Sequence, residues 1–148
     1  MIIYEHYWRK YDTDKYDPER FKPIENETRF TKPHGGFWAC RKDDPDGWFS
    51  WDPEWVGENF EKENPFYFTL SEDARILTLS STKDLRGLPK TIDFAPRCYI
   101  DSCYLDFEKL SEMYDAIEVT NINELYYPLY GWDCNSILIM NPRVIQPV

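Results

Sequence analysis

Two consecutive glycines mark a place where the chain has to turn before it can form anything regular. In Thr31-Lys32-Pro33-His34-Gly35-Gly36-Phe37-Trp38-Ala39-Cys40, Gly35 and Gly36 can take the positive φ that other residues avoid, so a turn leads directly into a short aromatic strand. Bare backbone at such a turn also leaves room for a ligand. Phe37 and Trp38 offer rings for stacking, while Lys32 and His34 place a cation and an imidazole beside them. The plain alternative is a hairpin turn seated on core aromatics. At the far end, Tyr130-Gly131-Trp132-Asp133-Cys134-Asn135-Ser136 sets a polar cluster at the head of the apolar run Ile137 to Met140, which Asn141-Pro142 stops.

Between these points the hydrophobic pattern changes period repeatedly. Ile2 to Trp8 alternates as a first strand with His6 on the face of Tyr4 and Trp8. Arg9 to Arg29, charged and broken by Pro18 and Pro23, reads as a surface connection with at most a short helix after Pro18. Gly36 to Arg41 is the second strand, followed by a turn at Asp43-Asp44-Pro45-Asp46-Gly47. Trp48, Trp51 and Trp55 stand at helical spacing around Asp52-Pro53-Glu54, a helix start. This predicts a tryptophan-bearing short helix over 52–60, its rings packed on the sheet or stacked on a ligand.

Phe66 to Leu70 and Arg75 to Ser80 alternate as strands around a tight turn at Ser71-Glu72-Asp73, and Ser81 to Pro96 reads as loops with one short turn. Tyr104, Phe107, Leu110 and Met113 or Tyr114 recur at three and four residues, predicting an amphipathic helix over 104–114. Ala116 to Thr120 and Ser136 to Met140 are buried strands, with a turn at Asn121-Ile122-Asn123. Strands and helices without strict alternation predict α+β: a single compact domain over 1–148 on a mostly antiparallel, split sheet, not a doubly wound parallel one.

Composition narrows the function. A net charge of −10 and a pI near 4.6 oppose duplex DNA as a partner, because phosphate neutralisation needs a basic stripe. Aromatic residues make up 18% of the chain, enough to fill a core and line a pocket as well. Cys40, Cys98, Cys103 and Cys134 lack metal or redox spacing, and no leader-like segment follows Met1. The expectation is therefore a cytoplasmic protein with free thiols and no bilayer span. Two histidines without ligand spacing predict no metal site, and the phosphate-binding glycine patterns of nucleotide hydrolases and dinucleotide oxidoreductases are absent. A cysteine nucleophile paired with His6 or His34 stays open, since such partners need only meet in space.

A first strand bearing His6, the Gly35-Gly36 pair leading into Phe37-Trp38, and a late strand headed by Asp133-Cys134-Asn135-Ser136 together resemble the ADP-ribosyltransferase-like, NAD-binding superfamily. The tail Ile137 to Ile145 is similar to the closing strand of its small bacterial and phage members. The resemblance implies NAD as cofactor, and transfer of ADP-ribose to a macromolecular target or hydrolysis of NAD, as a toxin or anti-defence factor in conflict between bacteria and phage. It implies His6, Asp133 and Asn135 as catalytic candidates, with Asp133 or Asn135 where the family places its glutamate. Lys32, His34, Gly35, Gly36, Trp38, Trp48 and Ser136 are the candidate NAD contacts, Lys32 for the pyrophosphate. The chain departs from the family in offering a shorter aspartate. A different class also fits the composition: an acidic, non-enzymatic interaction or inhibitor protein that binds a partner through a tryptophan-rich surface.

Overall fold

Strand β2, Phe37–Arg41, divides its hydrogen bonds between two partners. Phe37 to Ala39 pair antiparallel with β6, Ser136–Ile139, whereas Cys40 and Arg41 pair antiparallel with β1, Tyr4–His6. The sheet therefore forks at β2, and His6 lies in the fork. The other strands are β3 (Phe66–Leu70), β4 (Ile76–Leu79), β5 (Ala116–Val119) and β7 (Ile145–Pro147). In the computed structural model, which describes residues 1–10, 16–27, 31–91, 104–129 and 131–148, they form one seven-stranded sheet of order β4-β5-β6-β2-β1-β3-β7. Every pairing is antiparallel except β4 with β5, so the chain is α+β with a mixed, mostly antiparallel sheet. Residues 11–15 and 28–29 of the expected surface connection, the loop from residue 92 to Pro96, and Cys98, Cys103 and Tyr130 lie outside the described residues.

The sheet must curl. In a flat sheet β3 and β4 would lie five spacings apart, ~24 Å at the usual interstrand distance. The six steps from Leu70 to Ile76 reach at most ~21 Å, and they include a turn closed by the Ala74 N–H on the Ser71 carbonyl at 3.0 Å. The expected tight turn is thus present, but the strands on either side of it are not neighbours: β3 pairs with β1 and β7, and β4 with β5. One face of the curl holds Tyr4, Ala39, Phe68, Ala116, Ile137, Ile139, Val144 and Ile145. The other face packs Leu79, Ile117, Val119 and Leu138 against Leu110 and Phe107 of helix α3, Phe107–Met113, and Ile122 and Leu125 of helix α4, Ile122–Leu125. With both faces covered, every residue of β5 and β6 is buried, as their continuous apolar runs require. The charge of Glu118 is tolerated in β5 because Arg41 grips it at 2.7 and 2.9 Å and the Tyr4 hydroxyl donates to it at 3.2 Å.

Helix α3 is shorter than the 104–114 its spacing predicts. Leu105 forms a β-bridge with Lys90, and the Tyr104 carbonyl accepts from Thr91, which holds the first residues extended. Asp106 then caps the helix, its carboxylate accepting from the Lys109 N–H at 3.1 Å. The tryptophan-bearing segment forms two short helices, α1 (Trp48–Trp51) and α2 (Pro53–Asn59), with Asp52 as N-cap accepting from Trp55 N–H and Pro53 at the first position. In α2 it is Val56 that is buried, while Trp55 is 48% exposed. The expected turn at Asn121-Ile122-Asn123 is instead the start of α4. Among the described residues, no helix is long and apolar enough to cross a membrane.

Candidate functional site

The fork in the sheet is filled by rings. Past His6, β1 leaves β2: the Arg9 to Glu61 stretch is tied together by Lys10 N–H on Asn59 O and Glu61 N–H on Trp8 O, which brings the end of α2 over the fork. His6 stacks on Phe37 at 4.0 Å and meets Trp8 and Trp48 edge-on at 4.9 and 6.2 Å. Its Nδ1 lies 2.5 Å from the Trp38 carbonyl, which can only accept, so Nδ1 carries the proton and substitutes for a missing ladder bond.

Beside this fork opens a cleft of about 550 Å³, lined by the rings of His6, Phe37, Trp48 and Phe60 together with Lys32, Trp38, Trp132 and Asp133. His6, Lys32, Gly36, Trp38, Trp48, Asp133 and Ser136, all singled out from sequence, line it together. Three others lie elsewhere. His34 is exposed and pairs with Glu27, while its backbone bridges Glu25. Gly35 (φ 82°) is required by packing against the chain, because a Cβ would stand 2.1 Å from the Pro23 carbonyl oxygen. The space its missing side chain leaves is taken by protein and not by a ligand. The same holds in part at Gly36 (φ 73°), where a Cβ would meet Leu138 at 2.5 Å and the N–H already donates to Lys22.

Asn135 is the third, and the reason is register. Had the strand begun early, Asp133 and Asn135 would have shared a face, but β6 begins at Ser136 and Asp133 lies in the preceding turn. The buried Asn135 side chain instead accepts from Ile122 N–H at 2.8 Å and donates to the Asp44 carboxylate at 3.3 Å. Its own N–H donates to Asp46 O at 2.9 Å. It thereby ties α4 and the 43–47 turn together behind Asp133.

Among the described residues, neither the Lys32 ammonium nor the Asp133 carboxylate has a hydrogen bond or an ion pair within 4 Å. Burial lowers the Lys32 pKa, with Asp133 and Cys134 opposing, and burial raises that of Asp133, with Lys32 opposing. The Lys32 ammonium lies 4.8 Å over the Trp38 ring, so a ligand ring can stack on that face only if Lys32 moves aside. Arg9, whose guanidinium lies over Phe60, adds a second cation to the lining.

Burial pushes the Cys134 thiol up to about 11 against the opposing Ser136 contact, and Cys40 up to about 12, so both are protonated and poorly nucleophilic at neutral pH. Among the described residues no group of three His, Cys, Asp or Glu could hold a metal ion. The sequence reading missed Trp132, buried with its indole N–H on the Thr31 carbonyl at 2.8 Å and its ring edge-on to Trp38 at 4.8 Å. Its place directly before Asp133 was the available signal. Arg9 and Phe60 carried none, since only the bridge between them brings them to the cleft. The chain matches no protein-family model, no curated protein and no solved structure.

Proposed function

We propose that this cleft binds NAD and breaks its nicotinamide–ribose bond, passing ADP-ribose to water or to a macromolecular acceptor. The observation that carries the reading is the meeting of the Asp133 carboxylate, free of hydrogen bonds among the described residues, with two cations and several rings in one cleft of ligand size. A dinucleotide is an anion with aromatic ends, and in a chain of charge −10 a site for it has to gather its cations locally, as Arg9 and Lys32 do. Bond cleavage builds positive charge at the anomeric carbon, and a fixed carboxylate stabilises that charge more than it stabilises the ground state.

The test is NAD titration by calorimetry together with measurement of nicotinamide release. Asp133→Asn keeps the size and removes the charge, so turnover is expected to fall about 100-fold while the dissociation constant changes little. A parent protein that neither binds nor cleaves NAD, with or without candidate targets, ends the reading. The second reading, an acidic interaction protein, is favoured by the exposed Tyr126 and Tyr127, at 41% and 69%. Of the tryptophans, Trp55 adds to it at 48% exposure, whereas Trp8 and Trp132 are buried and Trp38 and Trp48 half-buried. The two readings separate on ligand-dependent stabilisation, about 2.7 kcal/mol at a hundredfold excess over the dissociation constant for an NAD site and none otherwise.

A further inference from the structure

Every other lysine among the described residues is exposed, and Lys32 alone is half-buried. Its ammonium lies 4.8 Å over the Trp38 ring, against which the buried Trp132 packs edge-on. Among the described residues it has no hydrogen bond or ion pair, whereas Lys90, at the surface, donates to the carbonyls of Leu85 and Leu88. A cation so placed has given up water and gained only a ring face. Burial lowers its pKa, with Asp133 and Cys134 opposing, so the neutral amine is reached more readily than on a surface lysine. That amine carries a lone pair, and it lines an open cleft of about 550 Å³ instead of sitting in closed core.

We propose that the Lys32 amine captures an aldehyde in this cleft as a reversible imine, the aldehyde being one with an aromatic body and an anionic group. The nitrogen lone pair adds to the carbonyl carbon, a proton passes from nitrogen to the carbonyl oxygen, and the carbinolamine so formed loses water to leave the C=N bond. Nothing is oxidised or reduced. Asp133 lines the same cleft, and because burial raises its pKa it is suited to carrying that proton from nitrogen to oxygen. The rings of Trp48 and Phe60 suit the aromatic body, and Arg9, over Phe60, suits the anion. Capture needs only the amine and the cleft, so it stands whether or not NAD is cleaved there.

The experiment incubates the full chain with equimolar pyridoxal 5′-phosphate at neutral pH without NAD, reduces the imine with borohydride and maps the labelled lysines by mass spectrometry. Lys32 should carry at least about fivefold more label than any exposed lysine. Pyridoxal, which lacks the phosphate, should label it roughly threefold less. Lys32→Arg keeps the cation and removes the amine, so the imine absorbance should be lost while circular dichroism shows the fold retained. Label spread over the surface lysines with no excess at Lys32 overturns the proposal, as does imine absorbance that survives in folded Lys32→Arg. Equal labelling by the two aldehydes overturns the anionic part of it. The map of the parent protein decides the matter should Lys32→Arg fail to fold. Repeating the labelling with NAD separates this inference from the cleft reading: strong labelling of Lys32 that NAD does not reduce upholds the first and counts against the second.

Discussion

Asp115 and Asp133 are the same side chain in opposite surroundings. Asp115 is fully buried at the seam where the curled sheet closes. Its carboxylate accepts from the Arg75 backbone at 2.9 Å, from the Arg75 guanidinium at 3.2 and 3.4 Å, from Asn141 at 2.9 Å and from Arg143 at 3.5 Å. Burial alone would raise its pKa, but the Arg75 and Asn141 hydrogen bonds overcome that and hold it at about 2. Asp133 is half-buried and has no such bonds among the described residues; burial raises its pKa and the Lys32 charge resists. A buried carboxylate with all its acceptor sites used holds a fold together, and one with its sites unused is open to a ligand.

This contrast can be broken experimentally. The largest expected effect is at the seam: Asp115→Ala leaves Arg75 and Asn141 donors unpaired between β4, β5 and the end of β6, and should cost about 3 kcal/mol in urea unfolding. A cost below about 1 kcal/mol would mean that the arginines, both half-exposed, solvate equally well in water. The acid profile follows from the depressed folded pKa. Asp115 contributes its full stabilisation above the unfolded value near 3.9 and loses it as pH falls toward about 2, so parent and variant curves should converge across that window. A constant gap from pH 5 to pH 2 would remove Asp115 as an acid-sensitive tie.

Next in size is Lys32→Ala, expected to raise the dissociation constant for NAD about tenfold while leaving nicotinamide riboside, which lacks the pyrophosphate, nearly unchanged. Equal losses for both ligands would assign Lys32 to holding Trp38 rather than to meeting phosphate.

The smallest effect has the opposite sign to the first. Because the folded pKa of Asp133 is raised, its ionised form costs stability at neutral pH. Asp133→Asn should therefore stabilise the fold by roughly 0.5 kcal/mol or less, a gain that disappears below the unfolded value near 3.9. Destabilisation by Asp133→Asn would make Asp133 a second structural aspartate and dissolve the comparison.

The sequence alone determined whatever is settled within a few residues. Gly35-Gly36 opens β2 because only glycine takes those angles against the neighbouring backbone, Asp52-Pro53 starts α2 by its cap, and Asn141-Pro142 stops β6. The buried runs of β5 and β6 were likewise legible, as was the alternation that puts His6 beside Trp8. Tertiary structure decided the rest. No local pattern says that β3 and β4, with only the five residues 71–75 between them, are not neighbours in the sheet, because strand order is settled by which faces can be buried together when the sheet curls. Only that packing brought Arg9 and Lys32 to one cleft. It also separated Asp133 from Asn135, since β6 starts at Ser136 and the two residues face different spaces, Asp133 the cleft and Asn135 the 43–47 turn.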